Sequence, residues 1–166
     1  MTAQLTPVAA DEFRELFRRH PGAVTIIGAR AADGALAGFT STSVISVSAA
    51  PPLIAFSVAT TSSSWPAIRD ADQVVVSFLT AEQADIATRF AMHGIDRFAE
   101  GGWRSLVTGD PVIEEAAAWL TARITQRVDA GSSQLIVAEV YAIDALTESA
   151  APLIYFDRAY RRPGDW

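Results

Sequence analysis

The chain predicts a mainly β fold: an antiparallel six- to seven-stranded β-barrel, closed or split and Greek-key-like, with short helices as lids. Three observations carry this. Runs of β-branched residues of strand length recur along the chain, turn dipeptides punctuate them, and only three short stretches show a helical pattern. A doubly wound parallel sheet would need a long helix after nearly every strand, and no such helices are present.

The first helix is expected over residues 11–20. Phe13, Leu16 and Phe17 fall on one face and arginines fill the other, until Pro21-Gly22 ends it. Residues 23–29 then read as a strand, rich in Val24, Thr25, Ile26 and Ile27. Asp33-Gly34 is a hairpin signal, and residues 36–48 return as one long second strand. Pro51-Pro52 closes it, and residues 53–59 form a third.

A Thr/Ser cluster leads to a short helix over residues 65–70, with Pro66 in its first turn. Residues 73–79 are a strand. Thr80 looks like an N-cap with Gln83 as its capping-box partner, opening a helix to about Ala91. Residues 94–110 read as irregular. Residues 116–128 and 134–143 are strands joined by a turn through Ala130-Gly131, and residues 152–156 are a short last strand. No linker or repeat divides the chain, so residues 1–166 are expected to form a single domain.

The chain has 166 residues, half of them hydrophobic and 19% charged, which is a globular balance. The formal net charge of −6 disfavours nucleic acid as a partner. All 13 basic residues are arginine, so any cationic anion site must use Arg. With no cysteine, disulfides, thiolate chemistry and Cys-based metal sites are excluded. Two histidines, His20 and His93, make a multi-histidine metal site within one chain an unfavoured reading. Residues 1–10 lack the basic and apolar regions of a leader, and no apolar run reaches the ~18 residues of a membrane span. A cytoplasmic protein is the expectation.

The sequence contains no G-x-S-x-G, Walker loop, H-E-x-x-H or G-x-G-x-x-G. What stands out is a density of small hydroxyl residues in two places. One is Gly38-Phe39-Thr40-Ser41-Thr42-Ser43, running on through Val44-Ile45-Ser46-Val47-Ser48; the other is Thr60-Thr61-Ser62-Ser63-Ser64. Hydroxyls and free backbone N–H groups at strand ends make neutral cradles for a phosphate and for the polar edge of a planar heterocycle. Ser and Thr are also common in strands and turns, so composition alone leaves both readings open.

The order of these segments resembles the flavin reductase domain family, which includes the reductase components of two-component flavin monooxygenases. The resemblance rests on a series: Asp33-Gly34 with the first hydroxyl run, then Pro51-Pro52-Leu53-Ile54-Ala55-Phe56-Ser57-Val58, then Ser77-Phe78-Leu79-Thr80-Ala81-Glu82-Gln83. It continues through Ile86-Ala87, Arg89-Phe90-Ala91 and Arg97-Phe98 to Pro152-Leu153-Ile154-Tyr155-Phe156 and Tyr160, covering residues 13–160.

The resemblance implies a split barrel, FMN or FAD as cofactor or substrate, NADH or NADPH as reductant, and a homodimer. It also implies a flavin-dependent monooxygenase as possible recipient of the product. Thr40, Ser41, Thr42, Ser43 and Val44 would line the pyrimidine side of the isoalloxazine and the ribityl chain. Ser57, Ser63 and Ser64 would lie near the flavin phosphate. Ser77, Leu79 and Gln83 would approach the ribityl chain. Phe90, Arg97 and Phe98, with Arg89, would border the phosphate end or the dimer partner, although Arg89 alone reads as a solvated helix residue. No catalytic side chain is required, because the flavin carries the redox chemistry.

Many relatives carry a His near the nicotinamide where Ser133 aligns, and Ser133 and Tyr160 are the nicotinamide-side candidates. That departure keeps an alternative alive: a flavin-binding split-barrel protein without NAD(P)H turnover. A heme-binding relative is disfavoured because neither His falls in a plausible pocket strand. His93 reads as a loop residue and His20 as a helix end. Trp65, Trp103 and Trp119 read as core or interface, and Trp166 as a free end or a contact with the partner subunit.

Overall fold

A computed structural model describes residues 6–145 and 150–165. The expectations for residues 1–5 and for Trp166 lie outside the described residues. After the helix α1 (Ala10–Arg18) come β1 (Gly22–Ala23), β2 (Thr25–Arg30), β3 (Leu36–Ser41), β4 (Ile45–Ala49) and β5 (Pro52–Ala59). Then follow α2 (Trp65–Asp70), β6 (Gln73–Phe78), α3 (Ala84–Ala91), β7 (Trp103–Ser105) and β8 (Pro111–Ile113). The chain closes with β9 (Ala118–Ala130), β10 (Ser133–Ala145), β11 (Ile154–Phe156) and β12 (Ala159–Arg161).

Seven strands form one antiparallel sheet in the order β3-β2-β6-β9-β10-β5-β4. Its two edge strands, β3 and β4, are consecutive in the chain. Flat, a sheet of this width would hold its edges about 29 Å apart, at about 4.8 Å per step. The link through Thr42, Ser43 and Val44 spans at most about 14 Å from Ser41 to Ile45. The sheet must therefore curl into a barrel whose seam runs between β3 and β4. The expectation of a split antiparallel barrel is met.

The seam corrects the expectation of one long strand over residues 36–48. Ser41 Oγ accepts the backbone N–H of Ser43 at 3.2 Å, a serine turn that breaks the strand where the apolar pattern would continue it. In the register of β4 against β5, Ile45 faces Ala55, so Ser43 falls opposite Ser57. There the Ser43 hydroxyl accepts the Ser57 N–H at 2.9 Å and takes over from the backbone ladder.

Both hairpins fall where expected. Gly34 (φ +88°) turns β2 into β3, and Gly131 (φ +63°) turns β9 into β10. α2 matches its expected bounds, with Pro66 in the first turn. The capping box is half right. The Thr80 N–H donates to Gln83 Oε1 at 3.1 Å, but the helix begins at Ala84, with Gln83 itself at the cap position. The stretch read as irregular holds β7, which pairs with β8 just beyond it, and β12 is a further strand outside the expected set.

β2 is buried on both faces and divides the core. Ile27, Phe56, Val76, Leu120 and Ile136 fill the barrel interior. Ile26, Leu79, Ala87, Phe90 and Leu153 form a second cluster outside, which α3 seals. That placement brings the end of α3 against β3 and builds the site. Among the described residues, no helix is long and apolar enough to cross a membrane.

Candidate functional site

A cleft of about 330 Å³ opens between β3, the end of β5 and the end of α3. Its walls include Thr40, Ser41, Thr42 and Ser43, then Ser57, Ala59 and Ser62, then Phe90, His93 and Arg97. The two hydroxyl-rich segments therefore meet in one place although the sequence separates them. A neighbouring hollow of about 220 Å³ shares Thr40, Thr42 and Ala91 and adds Tyr155 and Tyr160. A third, of about 160 Å³, shares Arg97 and adds Gly38, Ser63, Ser64 and Phe98.

Most of the hydroxyls are already committed. Thr40 Oγ1 donates to Ala87 O at 2.6 Å and ties α3 to β3. Ser41 and Ser43 share a hydrogen bond of 3.0 Å across the bend. Ser64 is buried, and its Oγ donates to Gly38 O at 3.0 Å. Thr42 and Ser57 are exposed on the cleft walls.

Arg97 is the electrostatic centre. Only 8% of it is exposed, and no carboxylate of the described residues pairs with it. Its Nε and Nη2 donate to Met92 O at 2.9 and 2.6 Å. Its Nη1 donates to Gly38 O at 2.6 Å and to Ser64 Oγ at 3.1 Å. Burial alone pushes the guanidinium below its ordinary range. Arginine still keeps its proton, so the cleft contains a buried positive charge balanced only by dipoles. Phe98 meets Phe90 edge-on at 5.1 Å and Trp103 at 5.2 Å, which fixes the loop after Arg97.

Several expected site residues lie elsewhere. Val44 packs on the barrel core. Ser77 is buried, and its Oγ accepts the Ile113 N–H at 3.1 Å. Leu79 belongs to the second core cluster. Gln83 is buried and donates to Glu114 O at 2.8 Å. Arg89 pairs with Glu100 (3.3 Å) and Gly101 O (2.7 Å), but its side chain is only 13% exposed, which corrects its reading as a solvated helix residue. Ser133 sits beside the cleft, because its register partner Ala59 lines it. Tyr160 faces the hollow beside Tyr155, and burial pushes its phenol up, so it stays neutral at physiological pH.

The cleft wall also holds residues outside the expected site set, among them Ser62, Phe39 and His93. Ser62 lay inside the second hydroxyl run without being singled out. Phe39 was quoted only as part of a motif. His93 is a loop residue, as expected, and it stands in the cleft wall. The nearness of His93 to Arg97 in sequence was the available signal.

A larger cavity, about 660 Å³, lies at the other end of β2 and includes Arg30, Asp72, Gln73, Asp110 and Arg123. It contains none of the expected residues.

The model of the flavin reductase like domain family matches residues 17–164. The chain is 38% identical over 162 residues to a protein named NADH:FMN oxidoreductase from Rhodococcus qingshengii, covering 95% of this chain and 84% of that one. The crystal structure of a flavin reductase domain protein from Arthrobacter sp. FB24 superposes with a TM-score of 0.88 at 35% identity, covering 95% and 98% of the two chains. That of a homologue of nitrilotriacetate monooxygenase component B, from Mycobacterium thermoresistibile, superposes with a TM-score of 0.83 at 27% identity, covering 95% and 92%. With the family model spanning nearly its whole length, the chain belongs to the flavin reductase like domain family.

Proposed function

We propose that this protein is an NADH-dependent flavin reductase that takes FMN or FAD in the cleft of Thr40, Ser57 and Arg97. The observation that carries the reading is the buried Arg97, paired with no carboxylate of the described residues, beside two converging hydroxyl segments. A phosphate-bearing heterocycle needs that combination: a positive charge at one end and neutral polar walls along its length. Bound flavin supplies the redox chemistry, accepting a hydride equivalent from reduced nicotinamide.

The chain's own residues have three tasks. Thr42 and Ser57 offer exposed hydroxyls to the polar edge of the ring. Arg97 and the turn of Ser62, Ser63 and Ser64 attract the phosphate end. Phe39 and Phe90 supply apolar wall that excludes water from the ring. No acid, base or nucleophile is asked of the chain. Ser133 adjoins the cleft through Ala59 and Tyr160 lines the hollow beside it, which supports their reading as nicotinamide-side residues.

We further infer a cytoplasmic homodimer, with residues 1–166 working as one domain. The outer face of β4, β5, β10 and β9 carries Ile45, Leu135 and Val128, all exposed. In register, the row Ser57, Leu135 and Val128 leads from this apolar face to the cleft. A second copy seated there would border the flavin. The name of the nitrilotriacetate monooxygenase component supports delivery of reduced flavin to a separate monooxygenase.

The test is oxidation of NADH and of NADPH with FMN, FAD or no flavin, on protein whose mass in solution is measured alongside. Saturable oxidation that depends on added flavin is expected, from a dimer. Flavin binding without nicotinamide oxidation would replace the reductase by a flavin-holding protein.

A further inference from the structure

The larger cavity, at the Arg30 end of β2, shares no lining residue with the flavin cleft. Its polar walls are Arg30, Asp72, Gln73, Thr108, Asp110 and Arg123, and no aromatic ring lines it. It is therefore a poor seat for a flat heterocycle. Two arginines and two aspartates share this void, yet among the described residues none of their possible ion pairs forms.

The fold itself keeps these charges apart. Arg30 lies in a slot between two turns, each with a glycine at positive φ against it. A Cβ at Gly109 (φ +86°) would stand 2.6 Å from Arg30 Nη1, and one at Gly34 (φ +88°) 3.4 Å from Nη2. Packing holds the guanidinium there, and it donates no hydrogen bond to the described residues. Arg123 rests over the Tyr141 ring at 5.0 Å, which occupies its flat face and leaves its N–H edge unused. Asp110 is only 4% exposed. Its Oδ2 accepts from Gln73 Nε2 and, at 2.7 Å, from Thr108 Oγ1. Its Oδ1 accepts from none of the described residues. A buried carboxylate ordinarily has its oxygens satisfied, so Oδ1 is an acceptor kept for the cavity that Asp110 lines.

We propose that this cavity binds a small polar zwitterion of the amino acid or dipeptide class, with its carboxylate on the Arg30 guanidinium and its ammonium on Asp110 Oδ1. Charge decides the class. A simple anion would gain the arginines but meet Asp72 and Asp110, and a simple cation would meet the reverse. A molecule with both signs serves both sets and leaves the cavity neutral. The planar fork of Arg30 matches the two oxygens of a carboxylate. The ammonium supplies the charged donor that Oδ1 lacks. At about 660 Å³ the cavity has room for more than the charged groups alone, and Gln73 and Thr108 make its remaining wall suited to a polar side chain.

The experiment is calorimetric titration of the full chain with L-glutamine and with glycyl-L-glutamine. N-acetyl-L-glutamine lacks the ammonium and L-glutaminamide lacks the carboxylate, so each removes one of the two charges. Saturable binding of at least one zwitterion is expected, and the tighter of the two sets the ligand's length. Both single-charge analogues should bind about tenfold or more weakly, the weight of one charge-assisted contact. Arg30→Met and Asp110→Asn should each weaken the zwitterion by the same order, with thermal unfolding showing that both variants are folded. The analogues need no variant, so the charge requirement is read even if a substitution disturbs the fold. No saturable heat with either zwitterion up to about 10 mM, well above a millimolar dissociation constant, would overturn the proposal. Equal binding of the single-charge analogues, or wild-type affinity in both variants, would overturn it as well.

Discussion

The two ends of β2 carry cavities of opposite character. Beside Thr25 and Ile26, the partners of Ser41 and Thr40, lies the smaller cleft, where buried Arg97 pairs with no carboxylate of the described residues. Beside Arg30 lies a cavity twice as large, where Arg30 and Arg123 face Asp72 and Asp110. There the charges cancel within the protein. Asp110 is buried but accepts hydrogen bonds from Gln73 and, at 2.7 Å, from Thr108. Burying a charge without a counter-charge is costly, so a fold that does so has left room for an ion from outside. Volume favours one end and charge imbalance the other, and it is the imbalance that marks a site for an anion.

Replacing the uncompensated cation should have the largest effect. Arg97→Met removes the charge and leaves the carbonyls of Gly38 and Met92 without donors, each worth roughly 1–3 kcal/mol when buried. Flavin affinity is expected to fall more than tenfold, by about the 1.4 kcal/mol per decade that one lost charged contact exceeds. Arg97→Lys separates the two roles: charge returns without the planar fork, so affinity should recover further than thermal stability does. If Arg97→Met bound flavin as tightly as the wild type, the contrast between the two ends would lose its meaning.

An intermediate effect is expected at the seam. Ser43→Ala removes the hydroxyl that accepts the Ser57 N–H. Stability should drop by about 1 kcal/mol, the net worth of one such bond, read from denaturant unfolding. Flavin binding should weaken by less than in Arg97→Met, because Ser57 moves while the charge stays.

The smallest effect on ligand belongs to the balanced cavity. Asp110→Asn keeps the shape and removes the charge that Arg30 and Arg123 offset. It should leave flavin dissociation constants unchanged while costing on the order of 1 kcal/mol in unfolding free energy. A change in flavin binding comparable to that of Arg97→Met would show that the two ends are coupled, contrary to the local argument.

Residues 36–48 show why part of the architecture was hard to read. Val44, Ile45 and Val47 continue a strand pattern without a Gly or Pro, so nothing local announces an end. The break comes from Ser41 turning its hydroxyl onto the next backbone, a use that serine shares with many residues in uninterrupted strands. The helix after Thr80 failed by one turn for a related reason. Gln83 bonds back to Thr80 as a capping partner would, but its amide also reaches Glu114, a contact that no local pattern contains. The site residues divide on the same line. Thr40, Ser57 and Arg97 were recoverable from their motifs. Ser77 and Leu79 carry the same motif strength, yet β6 turns them into the packing around Ile113 and Val24.

The sequence by itself determined the barrel class, both glycine hairpins, α2 and the family, because these depend on neighbours within a few positions or on ordered motifs. It also determined the acid-poor chemistry of the hydroxyl segments. The tertiary structure alone decided that β3 and β4 become opposite edges of one sheet, and that Ser62 and His93 share a wall with Thr42. It alone decided that Arg97 is buried without a carboxylate of the described residues paired to it. Each of these depends on residues tens of positions apart, brought together by the curl of the sheet, and burial and pairing of a charge are properties of that closure and not of the local chain.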